Sequence, residues 1–281
     1  MNKVFISTSC VNHKHVIDSV RALAEITNFI ELSGGSEYQC DSLHLLKSAK
    51  EELGLDFLLH SYFPPPKTAF VLNFADCSKD TRDFICRSMQ YLGELSIPYF
   101  SVHAGYKQSF AFNNELLING NGRFLIDDIG KNIAWFRQKF PDTPLALENL
   151  YPNNRNPDTC FATTVSEIEQ ILSFDEQVLL LLDLGHLKIS ANLLQFNFFE
   201  AVDLLFSRYG KRIVEIHLSE NESIYDDHDV ITEFSDQYRL LQKYKEAIIG
   251  NSINLTIEAR GKDFDTLQKS YNLVRSILEE T

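Results

Sequence analysis

Apolar residues in this chain come in short runs that end on polar or ionisable residues, with stretches of helical periodicity between them. The clearest run is Val178-Leu-Leu-Leu-Leu-Asp183, continuing into Leu-Gly-His186-Leu-Lys188. Five consecutive apolar residues are too few for an ordinary helix, so they predict a strand buried on both faces, as in a parallel sheet covered by helices. Asp183 and His186 then fall at the strand's carboxyl end, where α/β folds handle ligands. An isolated carboxylate is costly to bury there, and water, hydrogen bonds or a cation must compensate it. Asp183 as the N-cap of a following helix, with His186 in a surface loop, accounts for this motif equally well on its own.

The same punctuation recurs along the chain. Lys3 to Ser9 predicts a first strand, and Asn12 a cap for the helical pattern Val16, Ile17, Val20, Leu23 and Ala24. Asn28 to Gly35 predicts a second strand with Glu31 inside it, facing either a polar interior or solvent. A helix over 42–53 leads to Leu55-Asp-Phe-Leu-Leu-His60, a strand that must stop before the triple proline Pro64 to Pro66. A helix from Asp80 to Leu95 precedes Pro98-Tyr-Phe-Ser-Val-His103-Ala-Gly105. A polar loop from Asn113 to Gly122 and a helix through Trp135 separate this strand from Pro144-Leu-Ala-Leu-Glu148. Thr164 and Glu167 have the spacing of a capping box for the helix before Val178. A Phe-rich helical segment (Phe196, Phe198, Phe199) then precedes Arg212-Ile-Val-Glu215-Ile-His217, whose loop carries Tyr225-Asp226-Asp227-His228-Asp229. A helix near Gln237 to Ile249, the strand Ile253 to Glu258 and a C-terminal helix close the series.

About eight strand-then-helix units with no composition break predict a single domain over 1–281, an α/β (β/α)₈ TIM barrel. An open doubly wound sheet is the alternative, but its dinucleotide fingerprint is missing: Gly120-Asn-Gly122 has Leu125 where a third glycine belongs. An apolar share of 44% and a charged share of 23% suit an ordinary globular protein. No apolar run approaches the ~18 residues that cross a bilayer, and the first residues lack a signal peptide's apolar stretch, so a cytoplasmic location is expected. Five scattered cysteines without C-x-x-C spacing argue against a disulfide framework. The net charge of -13 disfavours a general nucleic-acid binder.

In a barrel the strand ends converge on one mouth, and this brings His60, His103, Glu148, Asp183, His186, His217 and Glu258 face to face. Each alone has a bland reading as a hydrogen-bonded or solvated side chain. Seven ligand-type residues on six strands are harder to assign to chance. Carboxylate oxygen with imidazole nitrogen, and no thiolate, suits Mn, Mg, Co, Zn or Fe as a divalent cofactor. We read Glu148, Asp183, His217 and Glu258 as holders of a primary ion, and His186 as reaching substrate or a second ion. Lys107, Arg155, Lys188 and Arg260 follow strand ends and are candidate contacts for a phosphate or carboxylate. The chain carries no G-x-S-x-G, H-E-x-x-H or phosphate-loop motif.

The series HSYF at His60, VHAG at Val102, ENLYP at Glu148, DLGH at Asp183, EIHLSEN at Glu215 and IEARG at Ile257 resembles the xylose isomerase-like TIM-barrel superfamily. That superfamily includes sugar and sugar-phosphate isomerases and epimerases and endonuclease IV, and the similarity runs over essentially the whole chain. In its epimerase branch the resemblance implies a single divalent metal on Glu148, Asp183, His217 and Glu258, with His186 touching substrate. In its endonuclease IV branch it implies additional zinc ligands at His60, His103, His186, Asp226 and His228. The glycine-containing turn usual after the loop Asp-x-His pair is replaced here by Asp229-Val-Ile-Thr-Glu233-Phe.

Three functions are therefore expected in order. The first is a metal-dependent isomerase or epimerase of a sugar or sugar phosphate, in which Glu148 and Glu258 exchange a proton and a metal-stabilised enediolate forms. The second is a multinuclear zinc phosphoesterase, and the third a non-enzymatic sugar-binding barrel. A small-molecule substrate is the expected partner, with no membrane and a homo-oligomer possible in principle.

Overall fold

The structure, a computed structural model, describes residues 3–11, 13–68, 70–108, 111–112, 115–116 and 123–279. Eight parallel strands form one sheet: β1 (Val4–Ser7), β2 (Phe29–Leu32), β3 (Asp56–Leu59), β4 (Phe100–His103), β7 (Leu145–Glu148), β8 (Leu179–Asp183), β9 (Ile213–Leu218) and β10 (Asn254–Ile257). Two further short strands, β5 (Ala111–Phe112) and β6 (Glu115–Leu116), pair antiparallel outside it. The order β3-β2-β1-β10-β9-β8-β7-β4 brings β3 and β4 to the two free edges. They meet through a parallel bridge between His60 and Ser101, where the Ser61 N–H donates to the Ser101 carbonyl at 3.0 Å. The sheet thus curls into the expected (β/α)₈ TIM barrel.

Among the described residues the helices are α1 (Val16–Leu23), α2 (Ser42–Leu53), α3 (Lys79–Glu94), α4 (Ile126–Lys139), α5 (Val165–Ser173), α6 (Leu184–Leu194), α7 (Phe198–Tyr209), α8 (Asp236–Gly250) and α9 (Phe264–Glu279). Local sequence explains several of their starts. The Ser78 and Asn197 side chains accept from the backbone N–H three residues on, at Thr81 and Glu200. Thr164 caps α5 in the same way, but the Glu167 carboxylate reaches back to the N–H of Thr163 instead of closing the box on Thr164. His15 occupies the N-cap of α1, and Asn12, expected there, lies outside the described residues. So do residues 113–114 and 117–122 of the expected polar loop.

Strand parity separates two apolar layers. Val4, Ile6, Ile30, Leu32, Phe57, Leu59, Leu180, Leu182, Leu255 and Ile257 point outward into the main core beneath the helices. Their neighbours Phe5, Leu58, Tyr99, Ala146 and Leu181 form a second cluster inside the barrel, with Phe29, Leu179 and Val214 packed on it. Side chains alternate across a strand, so the residue two or four positions beyond each interior apolar residue also points inward. This rule carries Phe29 to Glu31, Leu58 to His60, Tyr99 to His103, Ala146 to Glu148 and Leu181 to Asp183. An extra residue at Val214, opposite the step from Leu180 to Leu181, marks the irregularity in the pairing of β8 with β9.

Candidate active site

At the carboxyl ends of β7 to β10 three carboxylates approach a single imidazole nitrogen. His217 Nδ1 lies 3.4 Å from Glu258 Oε2, 3.9 Å from Glu148 Oε1 and 4.0 Å from Asp183 Oδ2. The other ring nitrogen, Nε2, is 2.9 Å from Glu31 Oε2. Glu31 therefore faces the interior, which settles the orientation that alternation alone left open. It is fully buried and sits among His60 and His217.

Asp183 caps a helix with one oxygen and leaves the other unpaired, so the two readings of it do not exclude each other. Its Oδ1 accepts from the His186 N–H at 2.7 Å and caps α6, while Oδ2 is buried without a hydrogen bond and turned to the cluster. Asn149 holds this junction: its side chain accepts from the Asp183 N–H at 2.8 Å and donates to the Asp183 carbonyl at 2.9 Å. Its own carbonyl is 3.0 Å from His186 Nδ1. Gly185 completes the corner. A Cβ there would stand 2.5 Å from Ser219 Oγ and 2.6 Å from the Ser219 carbonyl oxygen, so the close approach of α6 to β9 requires glycine.

Glu148 is ringed by imidazoles. Its Oε2 is 2.9 Å from His60 Nε2 and 3.3 Å from His103 Nε2, and its Oε1 is 3.1 Å from His186 Nδ1. None of these approaches has hydrogen-bonding geometry, and both carboxylate oxygens are buried without a partner. On the far side, Asp226 Oδ2 is 2.7 Å from His228 Nε2 and 4.0 Å from His186 Nε2. Replacement of the glycine turn does not carry Asp226 and His228 away from the others. His228 Nδ1 is anchored 2.8 Å from the Glu258 carbonyl.

The electrostatics follow from crowding these groups in a dry interior. Burial raises Glu148 and Glu258, but neighbouring imidazoles outweigh it and hold both carboxyls well below the usual range. Burial prevails at Asp183, raised to about 6. At His186 burial lowers the pKa, yet Asp183 and Glu148 lift it to about 10. Burial opposes the charge on His217 too, and Glu31 with Glu258 raises it well above normal.

Four overlapping groups have ligand atoms close enough to hold a cation: Glu31, His60 and His217; His60, His103 and Glu148; Glu148, Asp183 and His186; Asp183, His217 and Glu258. Orphaned buried atoms at Glu148, Asp183 and His217 are what a cation would satisfy, so the donor set fits a divalent metal.

A cavity of about 770 Å³ opens over this cluster. Glu258, His60, His103, His186 and Asp226 line it, whereas Glu148, Asp183 and His217 lie behind that surface. Tyr62 lines the cavity, whereas the triple proline after it does not, and Pro64 and Pro65 are buried. Of the four candidate cations, Lys107 pairs with Glu167 and Asp158, and Lys188 with Glu220 and Asp236. Arg260 alone lines the cavity. Sequence reading missed Asn149 and Glu215; Glu215 accepts from the Tyr99 hydroxyl at 3.0 Å and lies 3.5 Å from His217 Nε2. The signal was there in the alternation: Glu215 stands two residues before His217, beyond the bulge, and so shares its inward face.

Neither a protein-family model nor a curated protein matches the sequence. Solved structures do. A D-tagatose 3-epimerase-like protein aligns over 99% of this chain and 97% of its own at 20% identity, with a TM-score of 0.71. A xylose isomerase domain containing protein from Salmonella typhimurium aligns over 99% and 98% at 14% identity, TM-score 0.67. Endonuclease IV from Thermus thermophilus aligns over 99% and 100% at 12% identity, TM-score 0.63. At these identities the likeness is one of fold, and the chain is a (β/α)₈ barrel of the kind that xylose isomerase domains, sugar epimerases and endonuclease IV share.

Proposed function

We propose that this chain is an isomerase or epimerase of a sugar or sugar derivative that depends on a divalent metal, carried by one barrel domain. The observation that carries the reading is the approach of Glu148, Asp183 and Glu258 to His217 Nδ1 within 4.0 Å, from four neighbouring strands. These four residues would hold the ion. When bound, it supplies Lewis-acid polarisation of adjacent substrate oxygens. Glu258 is the carboxylate that both joins this set and lines the cavity, so we assign it the proton transfer at substrate carbon. Glu148 stands behind His60, His103 and His186, and we keep it as the second candidate base. His186 Nε2 is left to orient a hydroxyl, since its Nδ1 faces the Asn149 carbonyl. The cavity volume and the fold shared with a D-tagatose 3-epimerase-like protein support a monosaccharide-sized substrate.

A second reading, a multinuclear zinc phosphoesterase, is favoured by the two flanking groups. His60 and His103 share Glu148 on one side, and His186, Asp226 and His228 converge on the other. Elemental analysis of the purified chain, with deuterium incorporation from solvent into ketoses and ketose phosphates, separates the two. About one ion per chain with exchange at carbon supports the first reading. Three zinc ions, phosphodiester cleavage and no exchange would replace it with the second.

A further inference from the structure

We infer that the substrate of this site carries an anionic group, a phosphate or carboxylate, which Arg260 receives at the cavity wall while the reacting end lies over the carboxylate and imidazole cluster. The inference rests on the isomerase or epimerase reading for the reacting end and on independent observations for the anion. Four cations follow strand ends, and the structure distributes them unequally. Lys107 and Lys188 are each held between two carboxylates. Arg155 is exposed and outside the cavity lining. Arg260 is the one lysine or arginine among the described residues lining the cavity, and among those residues its guanidinium has no ion pair.

Freedom from a partner means little for an exposed arginine in water. Placement is what matters here. Arg260 stands two residues beyond Glu258, with its backbone N–H fixed to the His228 carbonyl at 2.9 Å. Its charge acts on both Asp226 and Glu258, so the guanidinium lies within electrostatic reach of the proposed reacting centre. Thr8, Ser9, Ser33 and Ser36 line the same cavity and add neutral hydroxyls. A planar fork of N–H donors matches phosphate or carboxylate oxygens in pairs, which an ammonium group does not. Binding energy gained at this remote group also fixes the reacting carbon relative to Glu258.

The test is calorimetric titration of the full chain, loaded with Mn²⁺, using D-ribulose 5-phosphate, D-fructuronate (a 2-ketose whose carboxylate is at the far end, C6) and D-ribulose in turn. At least one anionic probe should bind about 10- to 100-fold more tightly than the neutral ketose. Arg260→Gln should remove most of that difference, and Arg260→Lys should restore part of it. Preference for the first probe identifies phosphate, and preference for the second identifies carboxylate. Equal affinity for neutral and anionic ligands, no binding of either anion, or a preference that survives Arg260→Gln would overturn the inference. Deuterium incorporation into the bound probes is followed separately by mass spectrometry. Arg260-dependent binding without exchange would refute the isomerase reading and leave the anion site standing.

Discussion

Glu31 and His217, 186 residues apart in sequence, meet through a 2.9 Å contact at the imidazole Nε2. The contact turns Nδ1 of the same ring toward Glu258, Glu148 and Asp183. Carboxylates that orient a ligating histidine in this way raise its basicity and fix its tautomer. Glu31→Gln is therefore expected to weaken Mn²⁺ binding about 10- to 100-fold, as measured by calorimetry. Affinity equal to that of the unaltered chain would remove Glu31 from the account.

Glu258 reaches both the cavity and the proposed ion. Glu258→Gln keeps the shape while removing the base, and solvent proton exchange at substrate carbon should fall by about 100-fold or more. Exchange at the original rate would assign the base elsewhere, with Glu148 next in line.

The metal-free protein should lose stability as pH rises through two windows. Asp183 is raised to about 6 in the folded chain, so its contribution is complete below its unfolded value of 3.8 and gone above about 6. His186 is raised to about 10, so its contribution is complete below 6.5 and lost by about pH 10. Glu148 and Glu258 act in the opposite sense, since depressed carboxyls lose their contribution as pH falls below 4.5. Thermal melts of chelator-treated protein should show a falling melting temperature between pH 6.5 and 10. Mn²⁺ should raise that temperature more at pH 8.5 than at pH 6, because ligands must shed protons to bind metal. A melting temperature that rises across this range would contradict the charge pattern of the cluster.

Gly185→Ala places a methyl group against Ser219 backbone and side chain at the start of α6. The expected cost is about 1–3 kcal/mol, visible as a lower denaturant midpoint. Weakened metal binding should accompany it, since the Asp183 carboxylate caps α6 at this corner. A variant as stable as its parent would show that the corner can relax.

Much of this architecture is legible in the sequence because a strand covered on both faces has to be written as a short apolar run. The run over Val178 to Leu182 is unambiguous for that reason, and its exit residue Asp183 arrives in the cluster. Less legible is the helix that starts directly at Leu184, since capping and coordination compete for Asp183 when the carboxylate is counted as one group. With two oxygens, the carboxylate caps α6 through one and keeps the other unpaired toward the cluster. Glu31 takes its orientation from tertiary contacts, with Phe29 packing inside the barrel two residues earlier and His217 meeting the carboxylate. Glu215 is legible only by counting back two residues from His217, because the extra residue at Val214 breaks the count from the start of the strand. Asn149, adjacent to a strand-end glutamate, carried no signal of charge, and its work lies in backbone bonds to another strand. The four candidate cations could be ranked only by their distant partners.

The strict alternation between the two apolar layers sets where this scaffold can accept insertions. One residue added within β7 or β8 would trade Glu148 or Asp183 for a leucine and push a carboxylate under the helices. The same residue added beyond a strand end would merely lengthen a loop above the cavity. Chemistry and substrate choice can therefore drift in the connections while the strands keep their length, and a designer wishing to retarget this barrel should leave the strands untouched and rebuild the loops.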